Sequence, residues 1–356
     1  MKKIVVVIFL ILLPINTSGD QWKFFEHRYS YKLEDVLDAD KFVKKKGYWE
    51  GYKKGQLVGY VFISKDWTEK LVGYSGKHME TLVGLDVKGN ITGVKLLFHS
   101  EPIVLIGLRE ENYQRFLKQY PGKSIMQPLS VGKEISMDAI TGATVTAVVQ
   151  NAIILGSARK VASEAGLIKA ERKVEKKLSQ RYQSFTWEDL LKIGAVKNIR
   201  VSSKDLGIEG AEPYLDLYFG LLNPPSIGKN LLGESLYKDI VSSLKHEETA
   251  LFIVARGSGS FKGSGFARGG VFDRFNLEQG NRVYVFRDKD YRILTELKAQ
   301  GSPQIKEGGI FIIRDTEFNP AEEFKFNLLL PFRPTVAKKE FRSFSTYYRL
   351  PEDFIE

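Results

Sequence analysis

Cysteine is absent from all 356 residues, and histidine occurs only four times. Within this chain no disulfide, thiolate metal site, iron–sulfur cluster or cysteine-linked lipid can form. His27, His78, His99 and His246 show no metal-ligand spacing, so no metal site is expected. Long apolar runs are as scarce. The one candidate, Ile4 to Leu13, falls well short of the roughly 20 residues that a membrane-spanning helix needs. Preceded by Met1-Lys2-Lys3 and followed by Pro14 and the small residues Thr17, Ser18 and Gly19, it has the three parts of a signal peptide. Residues 1–19 are therefore expected to be removed, leaving a soluble mature chain from about Asp20 in the periplasm or another extracytoplasmic space.

What is present is an ordinary globular composition, 43% hydrophobic and 27% charged, on a chain long enough for two cores. The net charge of +10 comes without a zinc, helix-turn-helix or RNA-binding motif, so nucleic acid is not an expected partner. An acidic protein or anionic lipid remains open as the complement of a basic surface.

Apolar spacing predicts a helix over Leu33–Lys46, then a hairpin of Tyr48–Tyr52 and Gln56–Ser64 across Lys53-Lys54-Gly55. A second strand pair, Thr81–Asp86 and Ile91–His99, turns at Lys88-Gly89-Asn90. A helix over Arg109–Tyr120 stops at Pro121-Gly122, and the longest amphipathic run is Val145–Ala165. The dense Lys, Glu and Arg of 168–183 read as a linker or helix extension. Beyond it, Tyr214–Leu222, Ala250–Ala255, Phe266–Phe272, Arg282–Phe286, Ile310–Arg314 and Phe324–Leu330 read as strands, with a helix at Asn230–Leu244. The expected class is α+β: a first domain over 20–167, then a mainly antiparallel β-rich domain over 184–356. The glycine-rich run from Arg256 to Gly270 lacks a terminal Gly-Lys-Ser/Thr and the dinucleotide spacing, so it reads as close-packed turns, with Lys262 and Arg268 solvated or contacting a partner.

Asp138-Ala139-Ile140-Thr141-Gly142-Ala143-Thr144-Val145-Thr146 precedes the long helical run. Asp138 and Thr141 favour helix N-caps, and Gly142 with Ala143 leaves space for a phosphate at the first free amides. A capped core helix is the alternative reading of the same residues. The whole pattern, Asp, two residues, Ser or Thr, Gly, Ala, Thr, resembles the flavinylation motif of the FMN-binding domains of RnfG, NqrC and NosR proteins. That resemblance implies FMN linked through its phosphate to Thr144 by a flavin transferase, with Thr146 nearby in the helix.

Tyr74-Ser75-Gly76-Lys77, Val83-Gly84-Leu85-Asp86, His99-Ser100-Glu101-Pro102-Ile103 and Ser157-Ala158-Arg159-Lys160-Val161-Ala162 resemble successive blocks of the NosR/NirI family. The glycine-rich run, Pro224-Pro225-Ser226-Ile227-Gly228 and Leu350-Pro351 extend the likeness over nearly the whole mature chain. It implies an RnfG/NqrC-like FMN-binding domain followed by a β-rich domain. His99 and Glu101 read either as flavin contacts that tune its electronics or as a strand end and a turn. NosR and NirI proteins normally continue into transmembrane helices and a cysteine-bound iron–sulfur region. A chain ending at Glu356 is then either a split version with separate membrane partners or the exported portion alone. The resemblance implies an electron-transfer or accessory protein rather than an enzyme, working between a membrane electron donor or iron–sulfur protein and nitrous oxide reductase or its maturation machinery. A non-redox binding, assembly or regulatory module is the alternative, and a flavin subunit of an Rnf-like complex the third.

Overall fold

The computed structural model describes residues 26–69, 71–73, 75–101, 110–126, 144–168, 177–210, 212–263, 272, 274–280, 282–335 and 338–356. The expected signal peptide, Asp138, Thr141, Gly142, Ala143, Tyr74, Pro102, Ile103, Arg268 and most of the expected Phe266–Phe272 strand lie outside these residues.

The first half is built on a six-stranded antiparallel sheet in the order β1-β6-β5-β4-β3-β2. Its strands are β1 (His27–Arg28), β2 (Lys41–Lys44), β3 (Tyr48–Lys53), β4 (Gln56–Ile63), β5 (Glu80–Asp86) and β6 (Ile91–His99). Strand alternation divides the apolar side chains between two faces. Tyr60, Phe62, Val83, Leu85 and Leu96 face the core that holds α2 (Glu110–Leu117) and α3 (Thr144–Glu164). Val61, Leu82 and Leu97 face a smaller cluster with Val36, Leu37 and Ala39. The short α1 (Lys65–Thr68) lies against α3.

The helix expected over Leu33–Lys46 is not there. Leu33–Asp35 form one 3₁₀ turn, and Lys41–Lys44 pair with β3 as the edge strand. The apolar spacing at Leu33, Val36 and Leu37 serves an extended crossing of the sheet. Thr92 Oγ1 donates to Val36 O at 2.5 Å, and a Cβ on Gly84 or Gly93 would fall 2.3 or 2.6 Å from Val36 backbone atoms. Only glycine at that register pair lets the segment lie so close.

Helix α3 is 21 residues long, about 31 Å at 1.5 Å per residue. It was expected to be amphipathic, but Ala147, Val148, Val149, Ala152, Ile153, Ile154, Leu155 and Ala158 are all buried. The sheet and α2 cover one side, and β11 (Arg282–Tyr284), from the second half, packs on another. Its buried polar groups are matched. Gln150 Nε2 donates to Thr81 Oγ1 at 2.8 Å, Gln150 Oε1 accepts from Tyr113 OH, and Asn151 Oδ1 accepts from Tyr120 OH at 2.9 Å. Arg159 Nε and Lys160 Nζ donate to the carbonyls of Ile125 and Trp67 and so anchor the helix.

The second half is mainly antiparallel β, as expected. A five-stranded sheet, β12-β13-β9-β8-β7, comprises β7 (Lys197–Val201), β8 (Leu215–Leu221), β9 (Thr249–Arg256), β12 (Tyr291–Ile293) and β13 (Glu307–Ile313). A four-stranded sheet, β11-β10-β14-β15, adds β10 (Phe275–Gln279), β14 (Phe324–Thr335) and β15 (Lys338–Tyr348). Aromatic rings join the two sheets: Phe219 stacks on Phe326 at 4.2 Å, and Phe275 meets Phe311 edge-on at 5.0 Å. Ahead of β7 lies α4 (Trp187–Lys192), capped by Thr186. The helix expected over Asn230–Leu244 breaks at Gly233, whose φ is 78°, into α5 (Pro225–Leu232) and α6 (Glu234–Ser243). In the glycine-rich run, a Cβ on Gly259 would fall 2.5 Å from the Tyr214 ring, and Lys262 Nζ donates to Tyr291 OH at 2.8 Å. Of the charged stretch 168–183, Ser179 N bonds Phe354 O at 2.9 Å, which fixes that part to the end of the chain.

Among the described residues no helix is long and apolar enough to cross a membrane, and no cluster of potential metal ligands occurs.

Candidate functional site

Two loops and one helix start converge on a single buried carboxylate. Helix α3 begins at Thr144, inside the motif, and its first turn carries Thr146. Strand β6 ends at His99, and the chain continues through Ser100 and Glu101, both buried. Glu101 Oε2 accepts from Thr146 Oγ1 at 2.7 Å, while Oε1 accepts from Ser75 N at 3.0 Å. Ser100 Oγ donates to Ser75 Oγ at 2.9 Å. The Gly73–Lys77 loop closes on itself, with Gly76 N bonding Gly73 O and Gly73 N bonding Lys77 O, both at 3.0 Å. Gly73 has to be glycine, because a Cβ there would lie 2.3 Å from Glu101 Oε1.

A carboxylate is the fitting group for this position. Its oxygens accept from the buried Thr146 hydroxyl and from the Ser75 amide, and the positive end of a long helix lies beside it. The pair thus brings together two segments of the sequence reading that lie 45 residues apart. Glu101 is more than a turn residue, and its oxygens are directed at Thr146 and the Ser75 loop.

His99 is fully buried and sits in a different setting. Strand β1 pairs His27 with His99 in register, and their rings stack at 4.7 Å with planes 8° apart. Tyr29 stacks at 6.3 Å from the other rings' partner, His99, and Tyr113 meets His99 edge-on at 5.6 Å. The Tyr113 hydroxyl continues to Gln150 on α3, so His99 also reaches the helix through its neighbours.

Sequence reasoning placed Thr144, Thr146, His99 and Glu101 in one site, and the described residues bring Thr146 and Glu101 into direct contact. It gave no individual role to Gly73, Ser75 or Ser100; Ser75 and Ser100 stood only within the NosR/NirI-like blocks, and Gly73 is marked by nothing but the glycine spacing of its loop. It also missed Arg287 of the second half. The Arg287 Nη2 donates to Gly73 O at 3.3 Å, which joins the β-rich half to the same loop.

A small crevice of about 50 Å³ lies between α3 and β11. Leu71, Val72, Val149, Ala152, Val283 and Val285 wall it, and Arg287 stands at its edge. The group expected at this site is FMN, and what the described residues offer it is the start of a long helix beside the buried Glu101 and the Ser75 loop.

A family model described as an FMN-binding domain matches residues 73–154, a span that includes the Gly73 loop, Glu101 and the first half of α3. Over 330 residues the chain is 36% identical to Regulatory protein NosR of Pseudomonas aeruginosa, covering 85% of this chain and 46% of that protein. Regulatory protein NosR of Stutzerimonas stutzeri is 35% identical, with 85% of this chain and 45% of that protein covered. Protein NirI of Paracoccus denitrificans is 30% identical over 274 residues, 74% of this chain and 39% of that protein. The chain thus spans less than half the length of these curated relatives.

Proposed function

The chain belongs to the NosR/NirI family and contains an FMN-binding domain, and from that premise we propose that it is an exported flavoprotein of denitrification with FMN joined to Thr144 by a phosphoester. It acts as an electron-transfer or accessory component for nitrous oxide reductase. Its electrons come from a membrane partner with the iron–sulfur chemistry that a cysteine-free chain lacks, and a flavin transferase attaches the cofactor. FMN, when bound, supplies one- and two-electron redox chemistry.

The observation that carries this reading is the hydrogen bond from Thr146 to Glu101. Two threonines follow the Gly142-Ala143 pair. The Thr146 hydroxyl is buried and donated to a carboxylate, so a transferase has no access to it. This supports Thr144, the last residue of the Gly-Ala-Thr triplet and the first of α3, as the attachment point. There the unpaired amides of the helix start and its dipole offset the charge that a phosphodiester retains. Glu101 and Ser75 hold the helix start in place rather than contacting the flavin. A covalent tether suits an extracytoplasmic protein, where a released FMN would be diluted and not replaced.

The test is to export the protein from cells that contain a flavin transferase, denature it, and look for flavin fluorescence and the mass of one FMN. Thr144→Val is made alongside, since valine keeps the shape and removes only the hydroxyl. Modified wild type, unmodified T144V and a mass beginning near Asp20 are expected. An unmodified wild type, in cells whose transferase modifies another target, would reduce the motif to a helix cap and move attention to the β-rich half as a docking module. Flavin retained on T144V would displace the attachment from Thr144.

A further inference from the structure

The Gly73–Lys77 loop is gripped by both halves of the molecule. From the first half comes Glu101, whose Oε1 accepts from Ser75 N at 3.0 Å; a Cβ on Gly73 would fall 2.3 Å from that same oxygen. From the second half comes Arg287, 214 positions along the chain, whose Nη2 donates to Gly73 O at 3.3 Å. Its guanidinium lies so close that a Cβ on Gly76 would fall 2.7 Å from both terminal nitrogens. Gly73 O also accepts from Gly76 N at 3.0 Å, so Arg287 takes the second lone pair of that carbonyl. Each glycine of the loop is thus a clearance for one partner, Gly73 for the carboxylate and Gly76 for the guanidinium.

Arg287 is itself anchored in the second half. Around it the chain alternates: Val283 and Val285 pack with the first core, while Tyr284 and Phe286 are buried in the second. The Arg287 backbone N donates to Asp290 Oδ2 at 3.2 Å, and Asp290 in turn accepts from Arg314 Nε at 2.8 Å. A backbone fixed in one half and a planar, multi-donor head set on the other make Arg287 a strut rather than a solvated cation. From the loop the path continues through Glu101 to Thr146 Oγ1 at 2.7 Å, two residues after Thr144. Every link from Arg287 to the start of α3 is therefore a hydrogen bond or a covalent part of the loop.

We propose that Arg287 is a positioning residue for the attachment of FMN at Thr144: it holds the Gly73–Lys77 loop, the loop holds Glu101, and Glu101 holds the first turn of α3. This inference rests on the reading above that FMN is carried by Thr144, and it gives the β-rich half a part in the flavin site. In the attachment the Thr144 oxygen forms a bond to the FMN phosphorus of a flavin dinucleotide and the phosphoanhydride bond breaks. A nucleoside monophosphate leaves, and the hydroxyl proton passes to the transferase. Arg287 takes no part in that exchange of bonds. It raises the fraction of chains whose helix start is set for the transferase, and a substrate competent only part of the time has an apparent KM raised by the inverse of that fraction.

The experiment compares the full chain as wild type, as Arg287→Met, which keeps the stem and removes the donors, and as Arg287→Lys, which keeps a charged donor. Amide exchange on the unloaded protein reads the Ser75 N–H and the first turn of α3, with β9 as the internal measure that the second core is folded. A purified flavin transferase with flavin dinucleotide then reads kcat and KM for FMN incorporation. In R287M, Ser75 exchange is expected to quicken roughly three- to tenfold, the span of one net hydrogen bond, with KM raised severalfold and kcat kept. R287K is expected to recover most of both. Exchange and KM equal to wild type in R287M overturn the proposal. Either change without the other does so too: quickened exchange alone leaves Arg287 merely structural, and a raised KM alone makes it a contact of the transferase. A wild-type Ser75 amide that exchanges like an unstructured one also overturns it, a result that needs no variant to fold. A wild type that takes up no flavin overturns the Thr144 reading and the role in attachment with it, whereas a loaded wild type with an indifferent Arg287 overturns this proposal alone.

Discussion

At the scale of the residue, Glu101 sets the most demanding local condition in the first half. It is fully buried, and Ser75 N–H and Thr146 O–H are among the groups that meet its oxygens, both as donors. An acceptor removed from such a place leaves the buried Thr146 hydroxyl and the half-buried Ser75 amide without their partner, at up to about 1–3 kcal/mol for each. The two obvious substitutions separate bonding from charge. Glu101→Gln keeps the shape. Its Oε1 can accept from Ser75 N, and the Thr146 hydroxyl can rotate to accept from the amide nitrogen. The loss is then mainly the favourable placement of a negative charge at a helix start, about 0.3–1 kcal/mol. Glu101→Leu fills similar space but strands both donors, so it should cost about 2–4 kcal/mol. Urea unfolding of both variants with unchanged slopes would measure this. Equal stability of the leucine and glutamine variants would mean that the two hydrogen bonds contribute nothing.

At the scale of the element, α3 is held by polar contacts as well as by its apolar surface. From Tyr113 the bonding runs through Gln150 to Thr81, whose backbone N donates to Ser64 Oγ at 2.9 Å, and Ser64 Oγ lies 3.2 Å from His78 Nε2. His78 Nδ1 lies 2.7 Å from Leu71 O. Burial depresses the pKa of His78 below its ordinary value, against a smaller upward pull from the Leu71 carbonyl. The sign follows from proton counting. Below about pH 6.5 the unfolded chain binds a proton that the folded chain refuses, so the contribution is complete above that pH and is lost as the pH falls toward the depressed value. Thermal midpoints should therefore drop between pH 7.5 and pH 5, and His78→Gln should flatten that slope; an identical slope in the variant would clear His78 of the effect. Elements with a local signature were legible in the sequence. The β3–β4 and β5–β6 hairpins show strand runs around glycine turns, and α3 shows its long apolar period. The segment Leu33–Lys46 misled because apolar residues spaced for a helix face serve equally well for a chain crossing a sheet. Strand β10 went unseen because Asn276 and Gln279 are polar yet buried. Their partners, Asn327 and Asn319, lie 40 or more residues away. Strand β15 is an edge strand rich in Lys, Arg and Ser, a pattern that protects edges but hides strands.

At the scale of the whole molecule, the two halves have separate cores, and β11 is where they meet. Tyr284 points into the second core while its neighbour Val283 belongs to the first, against α3, as strand alternation requires. This explains why α3 is apolar on more sides than a surface helix, and why the site was only half legible. The motif at Thr144 and the His99–Glu101 block are local in sequence, whereas the Arg287 contact is set by the tertiary fold and leaves no local trace. Val283 therefore offers a test of coupling between the halves. In Val283→Asp, the strand must either bury a carboxylate beside Val149 and Ala152 or release its hold on α3, and an unpaired buried charge costs more than local opening does. Release is the expected outcome. Amide exchange should quicken in the first three turns of α3, while β9, whose side chains are buried in the second core, keeps its protection. Unchanged exchange in α3 would show that the helix is held by the first half alone and that β11 only rests against it.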